Sequence, residues 1–476
     1  MSNSRAKVIC GVIFFVAAAL RFLGLFNDLW LDEIWSLALS TTVKSPWDIF
    51  TKIHQDNNHY INTLFLYFLG DQGNWPGYRF LSWICGVATV GLAGLIGFRQ
   101  SLATGFFSLI LTGFSYVLIL YSSEARGYAP AIFFALLTYY LLESFIENNN
   151  RKTALAASIC MVFGLASHLV SLIFYAAVTL WILYSQLSTG IKLKEAIWSS
   201  AYFHTAPILF CVFIYFTDLR YLQFGGGSPG SIVHAFAESI TWTLGVSEIE
   251  NWAIPSYLLG AIALTYGIIV LWRESKAEAL FYSGIIALIP LIFAALGDQG
   301  YVYVRYFILG IVFSLILLAR LLARLYQSGH YGRLAALLIV FLYIATNSFY
   351  TFQLIQNGRG NYSGALNFIA QNSLTDKVSI GGDHEFRIPA TLQFFVKTEA
   401  LKKEINYLPK KSWPSEGVGW IIFHKESAEA PITHKMNMRD SAGNIYHLEK
   451  IFPSAPLSGL HWFIYKNVGK KSRTNL

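Results

Sequence analysis

Four short polar stretches interrupt an otherwise apolar sequence, and each carries side chains able to do chemistry. The first is Leu29-Trp30-Leu31-Asp32-Glu33-Ile34-Trp35-Ser36. In a shielded cleft one of its adjacent carboxylates can be tuned to take a proton from a hydroxyl, while the other accepts a hydrogen bond or ligates a metal. The same pair also fits the acidic first turn of a helix. The second, His54-Gln55-Asp56-Asn57-Asn58-His59-Tyr60-Ile61-Asn62-Thr63, runs into an apolar segment. Two His and an Asp suit a divalent cation, and they equally suit a substrate hydroxyl or a capped helix start. The third, Tyr121-Ser122-Ser123-Glu124-Ala125-Arg126-Gly127-Tyr128-Ala129-Pro130, offers a guanidinium for bidentate phosphate binding, with Glu124 to orient it. An interfacial Glu–Arg pair is the blander reading. The fourth, Tyr301-Val302-Tyr303-Val304-Arg305-Tyr306, supplies a second phosphate clamp in Arg305, or an Arg snorkelling among interface tyrosines. His168 and Arg21 stand alone, the first as a structural or substrate-facing His, the second as a residue snorkelling from the first apolar run. Gly225-Gly226-Gly227-Ser228-Pro229-Gly230 lacks the Lys-Ser/Thr of a phosphate loop and reads as a flexible loop over the site.

The elements that must position these residues are membrane helices. Hydrophobic residues make up 55% of the 476 and charged residues 13%, about half the share of a soluble domain. A soluble enzyme, a disordered chain and a collagen-like chain are excluded, and the 16% of aromatics suits many membrane interfaces. About eleven runs reach spanning length: 7–26, 78–98, 103–121, 127–146, 153–168, 170–187, 197–216, 253–272, 279–297, 306–324 and 334–352. Ile61–Gly70 is too short to span and reads as a re-entrant or interfacial helix. With a cytoplasmic N-terminus, 12 Lys and Arg fall at cytoplasmic ends and 6 on the opposite side, in line with the positive-inside rule. All four polar stretches and His168 then share the extracytoplasmic face. Ionisable residues at a membrane are costly and point to function.

The remaining 124 residues carry 26 of the charges, or 21%, against about 10% for the first 352. The expected organisation is therefore a membrane body over 1–352, with a first extracytoplasmic loop at about 27–77, and a soluble domain over 353–476. In the latter, helices near Ser363–Gln371 and Phe386–Val396 and strands at Lys377–Gly381, Gly419–His424, Ile445–Phe452 and His461–Asn467 suggest a small α/β sheet. Asp383, His384 and Glu385 follow the first strand as loop residues. The net charge of +8 resides mostly in this domain, as a solvated surface, and gives nucleic-acid binding little support. Cys10, Cys85, Cys160 and Cys211 lie in apolar runs and read as small hydrophobes. The basic, apolar N-terminus resembles a signal peptide without a clean cleavage site, and reads as an uncleaved first helix.

As an ordered set, these stretches resemble the GT-C superfamily of polyprenyl-phosphate-sugar glycosyltransferases. The likeness lies with the branch of protein O-mannosyltransferase-like and aminoarabinose-transferase-like enzymes, and it covers the whole body. It implies an all-α polytopic GT-C-like membrane protein of about eleven transmembrane helices with a small C-terminal α/β extracytoplasmic domain. Matched to the family, Asp32 is the general base, with Glu33 beside it, and Arg126 and Arg305 hold the lipid phosphate. Asp56, His59, Glu124, His168 and Tyr306 complete the substrate-binding set, and Asp32, Asp56 and His59 are candidates for a possible divalent metal. Asp56-Asn57-Asn58-His59 keeps the His of the family's His-Pro-Pro-Leu form and lacks its prolines. The implied reaction moves a sugar from a polyprenyl-phosphate donor to a hydroxyl of a lipid, glycan or protein acceptor, with inversion. The implied setting is a bacterial inner membrane, with active site and C-terminal domain in the periplasm. A polymerase or ligase using diphosphate-linked oligosaccharide, and a secondary transporter, are the alternatives. A transporter is expected to show repeats and midplane sites, which the sequence lacks.

Overall fold

The structure, a computed structural model, describes residues 3–148, 150–225, 230–246, 253–296, 302–398, 401, 403–426 and 435–469. The chain divides into two compact units. One comprises Met1–Leu25, Ser36–Asp71 and Pro76–Phe349, and the other Phe26–Trp35, Gln72–Trp75 and Tyr350–Leu476.

The first unit is helical. Its elements are α1 (Asn3–Leu23), most of α2 (Leu31–Thr42), α3 (Tyr60–Leu69), α4 (Phe80–Gln100), α5 (Leu102–Phe114), α6 (Tyr116–Ser122), α7 (Tyr128–Asn148) and α8 (Arg151–Ser167). These are followed by α9 (Ser171–Ser188), α10 (Leu193–Thr217), α11 (Ile232–Thr243), α12 (Ala253–Glu274), α13 (Lys276–Ser283), α14 (Ile289–Leu296), α15 (Ile308–Gln327) and most of α16 (His330–Asn357), whose end from Tyr350 falls in the second unit. Among the described residues eight helices, α1, α4, α7, α9, α10, α12, α15 and α16, are long and apolar enough to cross a membrane, or nine spans if α5 and α6 count as one. Eleven were expected, and the difference has local causes. The run 103–121 bends by 59° between α5 and α6. The run 279–297 is two eight-residue helices joined by a π-helical turn at Gly284–Leu288. Pro290 follows that turn; its ring crowds the preceding carbonyls and it has no N–H to give, which favours the wider turn. Helix α8 has 17 residues and stops where His168 turns extended. The ten-residue α3 is too short to span.

The break between α5 and α6 is built into the sequence. Ser115 caps α6 by accepting from the Leu118 amide, and Asn347 Oδ1 accepts from the Tyr116 amide at 2.7 Å. On the other side of the break, Arg21 donates to the carbonyls of Thr112 and Gly113 at 2.9 and 2.8 Å, and to Ala17 in its own helix at 3.0 Å. Arg21 is wholly buried, so it does not snorkel. It terminates α5, where a cation also suits the helix dipole.

The second unit holds a six-stranded sheet of β1 (Lys377–Gly382), β2 (Glu404–Tyr407), β3 (Trp420–Glu426), β4 (Asn437–Arg439), β5 (Ile445–Phe452) and β6 (Leu460–Gly469). The strand order is β2-β1-β3-β6-β5-β4, parallel for β2-β1-β3 and antiparallel beyond. Alternate residues bury both faces of the sheet. Ile421, Phe463 and Tyr465 pack with Val418, Tyr446 and Leu448. Trp462 meets Tyr362, and Trp420 meets Phe368, both on α17 (Tyr362–Asn372). Helix α18 (Arg387–Thr398) links β1 to β2. The expected helices and strands are present, together with the short β2 and β4, which carry too little alternation to be read.

Segment 26–35 also belongs to this unit. Asp28 accepts from the Ser363 amide at 2.8 Å and its hydroxyl at 3.0 Å, at the start of α17. The Arg359 guanidinium lies 4.4 Å from the centre of the Trp30 ring.

Candidate active site

The third polar stretch forms the irregular link between α6 and α7. There Glu124 and Arg126 are both buried, 1% and 5% exposed. Arg126 Nη2 donates to Asn57 Oδ1 at 2.8 Å, and Nη1 lies 3.4 Å from Glu124 Oε1. Asn57 Nδ2 in turn donates to the Ser36 hydroxyl at 3.0 Å. Asn62, one turn into α3, donates to the Ala125 carbonyl at 2.8 Å, and Ser82 to the Arg126 carbonyl at 3.2 Å. The link is as tight as backbone allows: a Cβ on Gly127 would stand 1.8 Å from the Ser167 carbonyl oxygen and 2.9 Å from His59 Cβ. Only glycine permits that approach.

His59 ends the second polar stretch as the residue preceding α3. Its ring stacks on His168, with centroids 4.5 Å apart, and Tyr128 lies 4.3 Å from His168. His168 Nδ1 accepts from the Val170 amide at 3.0 Å, which places the proton of the neutral ring on Nε2. His59 Nε2 is buried with no hydrogen-bond partner among the described residues. Burial is the main force holding both imidazoles well below their usual pKa, and the charges of Arg126 and Arg305 add to it. Arg305 thus acts on the same two rings as Arg126. It sits in the 3-10 turn Val304–Phe307, with its guanidinium 4.3 Å from the centre of the Tyr303 ring. Tyr306 meets Tyr303 edge to face at 6.0 Å.

A second group lies on the same loop. Asp218, 2% exposed at the end of α10, accepts from Tyr60 Oη at 2.5 Å and pairs with His54 Nδ1 at 2.9 Å. Asp56, His59, His168 and Asp218 line one small cavity of about 40 Å³, room for a water or two. Asp56 itself is exposed and accepts from the Gly225 amide at 3.1 Å. Residues 226–229 of the glycine-rich loop lie outside the described residues, as does Tyr301 of the fourth stretch.

Asp32 and Glu33 stand in the first turn of α2, within the other unit. Glu33 Oε2 accepts from the Trp30 amide at 3.1 Å, the return half of a capping box. Asp32 is partly exposed. Among the described residues no three His, Cys, Asp or Glu side chains come together to hold a metal ion. Of the candidate ligands, Asp56 and His59 share a cavity, while Asp32 belongs to the second unit.

So Arg126, Glu124, His59, His168 and Arg305 form one cluster. Asn57, Ser36 and Asp218 were not singled out in the sequence. Asn57 sits inside a quoted stretch as one of six polar residues in a row, and Asp218 looks like the ordinary polar end of a long apolar helix. A larger cavity of about 650 Å³ lies elsewhere, lined by the ion pairs Arg99–Glu143, Arg320–Glu278 and Arg324–Glu274. Glu143 is fifteen residues along α7 from Tyr128, roughly 22 Å at about 1.5 Å per residue, so this cavity is at the far end of the helices from the His pair.

No family model matches the chain, and no curated protein does. Solved structures match. ArnT from Cupriavidus metallidurans bound to undecaprenyl phosphate superposes with a TM-score of 0.50 at 13% identity, covering 100% of both chains. The same protein in the apo state gives 0.51 at 14%, covering 89% of this chain and 93% of that one. AglB from Archaeoglobus fulgidus, an oligosaccharyltransferase in complex with an inhibitory peptide and a dolichol-phosphate, gives 0.49 at 10%, covering 89% and 70%. The chain has a GT-C-like fold.

Proposed function

We propose that this protein is a membrane glycosyltransferase that moves a sugar from a polyprenyl-phosphate-linked donor to an acceptor hydroxyl at the extracytoplasmic face. The observation that carries the reading is Arg126: a buried guanidinium, oriented by Asn57 and Glu124, beside two imidazoles held neutral. The ArnT structure of the same fold was crystallised with undecaprenyl phosphate. Two arginines near one place suit a lipid phosphate, and neutral imidazoles do not compete for it.

In this reading Asp32 takes the proton from the acceptor O–H. The oxygen attacks the anomeric carbon, and the carbon–oxygen bond to phosphate breaks. The polyprenyl phosphate leaves with the bonding electrons, and the anomeric carbon inverts. Arg126 and Arg305 stabilise the charge growing on the leaving phosphate, as preorganised donors do. His59 Nε2 is a hydrogen-bonding atom for a sugar hydroxyl. Glu33, with one oxygen committed to the Trp30 amide, holds the acidic turn in shape. The acceptor is a lipid, glycan or protein, and the membrane is a bacterial inner membrane with the C-terminal unit in the periplasm.

The test is sugar release from a panel of radiolabelled polyprenyl-phosphate sugars in proteoliposomes, comparing wild type with Asp32→Asn. Release of one sugar that drops by roughly 100- to 10,000-fold in the variant supports donor class and base together. No release from any donor by folded protein overturns the reading.

A further inference from the structure

The C-terminal unit contains a second cluster that the transfer reading does not use. It lies where the sheet changes direction. From β1 the chain crosses through α18 to β2 on one side, then returns past β1 to β3 on the other. Parallel sheets open a crevice beyond the carboxyl ends of the strands at such a reversal, and ligands bind there. The residues leaving β1 and ending β3 at this edge are Asp383, His384, Phe386, Arg387, His424 and Glu426.

They form a hydrogen-bonded relay. Asp383 accepts from the His424 amide at 3.1 Å and from His424 Nδ1 at 2.8 Å. With its proton on Nδ1, His424 accepts at Nε2 from Arg387 Nη1 at 3.2 Å, and Arg387 Nη1 also reaches Glu426 Oε1 at 2.7 Å. His384 Nδ1 accepts from the amides of Phe386 and Arg387, both at 3.1 Å, which leaves Nε2–H as a donor. Every member keeps part of its surface in solvent, between 11% and 23% for the four relay side chains. Partly exposed pairs of this kind contribute little to stability, so folding gives weak reason for the two that join these four side chains. Beside the relay stands Phe386, 56% exposed, its ring edge to face with Trp35 at 6.4 Å.

We propose that this edge is a carbohydrate-binding site that holds a neutral glycan portion of the acceptor. A run of alternating donors and acceptors matches vicinal hydroxyls, and an exposed aromatic ring matches the C–H surface of a sugar ring. Arg387 is already paired with a carboxylate, and Asp383 and Glu426 repel a phosphate. The cluster therefore selects an uncharged, hydroxyl-rich ligand over a phosphorylated one. The acceptor role rests on the transfer reading; the binding itself does not.

The experiment uses the full chain in nanodiscs, presented with a panel of immobilised neutral oligosaccharides and their phosphorylated counterparts. Wild type and Asp32→Asn are expected to retain the same neutral glycan. Phe386→Ala and Arg387→Gln are expected to weaken it by on the order of tenfold, with thermal unfolding unchanged and with donor-lipid affinity unchanged. In transfer assays the same two variants raise the acceptor KM by a similar factor and leave kcat in place. Retention of no neutral glycan by wild type, preference for the phosphorylated set, or equal retention by both variants overturns the proposal. Failure of sugar release in the Asp32 experiment leaves the glycan-binding result standing, so the two readings fail separately.

Discussion

One of the groups that orient Arg126 is an amide. Asn57 accepts from its guanidinium and is itself fixed by Ser36. A hydrogen bond to a charged group is worth about 1.5–3 kcal/mol, so Asn57→Ala is expected to lower kcat/KM by at least about tenfold while the fold persists. Steady-state kinetics against donor-lipid concentration checks this; unchanged kinetics would show that Arg126 needs no such support. The two imidazoles make a prediction of the other kind. Their folded pKa values are depressed below about 6.5, chiefly by burial. Above the unfolded value both states are neutral and the rings contribute no pH dependence. As pH falls below about 6.5 the unfolded chain takes up protons that the folded chain refuses. Stability then declines by up to about 1.4 kcal/mol per ring per pH unit. Thermal unfolding between about pH 5 and 8 should show that decline, and His168→Phe should reduce its slope. A flat profile would contradict neutral buried rings.

At the scale of elements, the sequence showed the membrane body clearly and its breaks poorly. Apolar length marks a span, but Ser115 and Pro290 interrupt theirs without interrupting hydrophobicity, so 103–121 and 279–297 read as straight helices. Gly127 was visible only as a member of a motif; its reason, the Ser167 carbonyl 1.8 Å from where a Cβ would sit, exists only once α8 is packed. Gly127→Ala must therefore push the link away from α8. The expected cost exceeds the about 1–3 kcal/mol typical of overpacking, because the clash is with backbone. A folded, fully active Gly127→Ala protein would refute the close approach. The second expectation concerns the break itself. Asn347→Leu strands the buried Tyr116 amide, at about 1–3 kcal/mol. A lowered melting temperature with donor affinity retained is the expected result.

Over the whole molecule, charge density suggested a membrane body and a polar tail, and the tail's strands were legible from their alternation. What composition could not show is that residues 26–35, lying between two apolar runs, belong with the tail. That follows from Asp28 reaching Ser363 across 335 residues and from Arg359 covering Trp30. Asp218 escaped notice for a related reason: its meaning depends on His54 and Tyr60, more than 150 residues away. If the C-terminal unit holds the acidic turn in place, Asp28→Ala should raise amide hydrogen exchange over residues 26–35 and lower turnover. The exchange of residues 121–128 should stay the same. Unchanged exchange at 26–35 would free the turn from its tether.

Arg21 has a bearing on how such a chain is made. Its guanidinium sits inside the first apolar helix and is satisfied by the Thr112 and Gly113 carbonyls, more than ninety residues downstream. When α1 first leaves the ribosome those partners have not been synthesised, and a lone cation in lipid is costly. The first helix therefore carries a guanidinium whose carbonyl partners arrive only with α5, so its final hydrogen bonds form later than the helix itself.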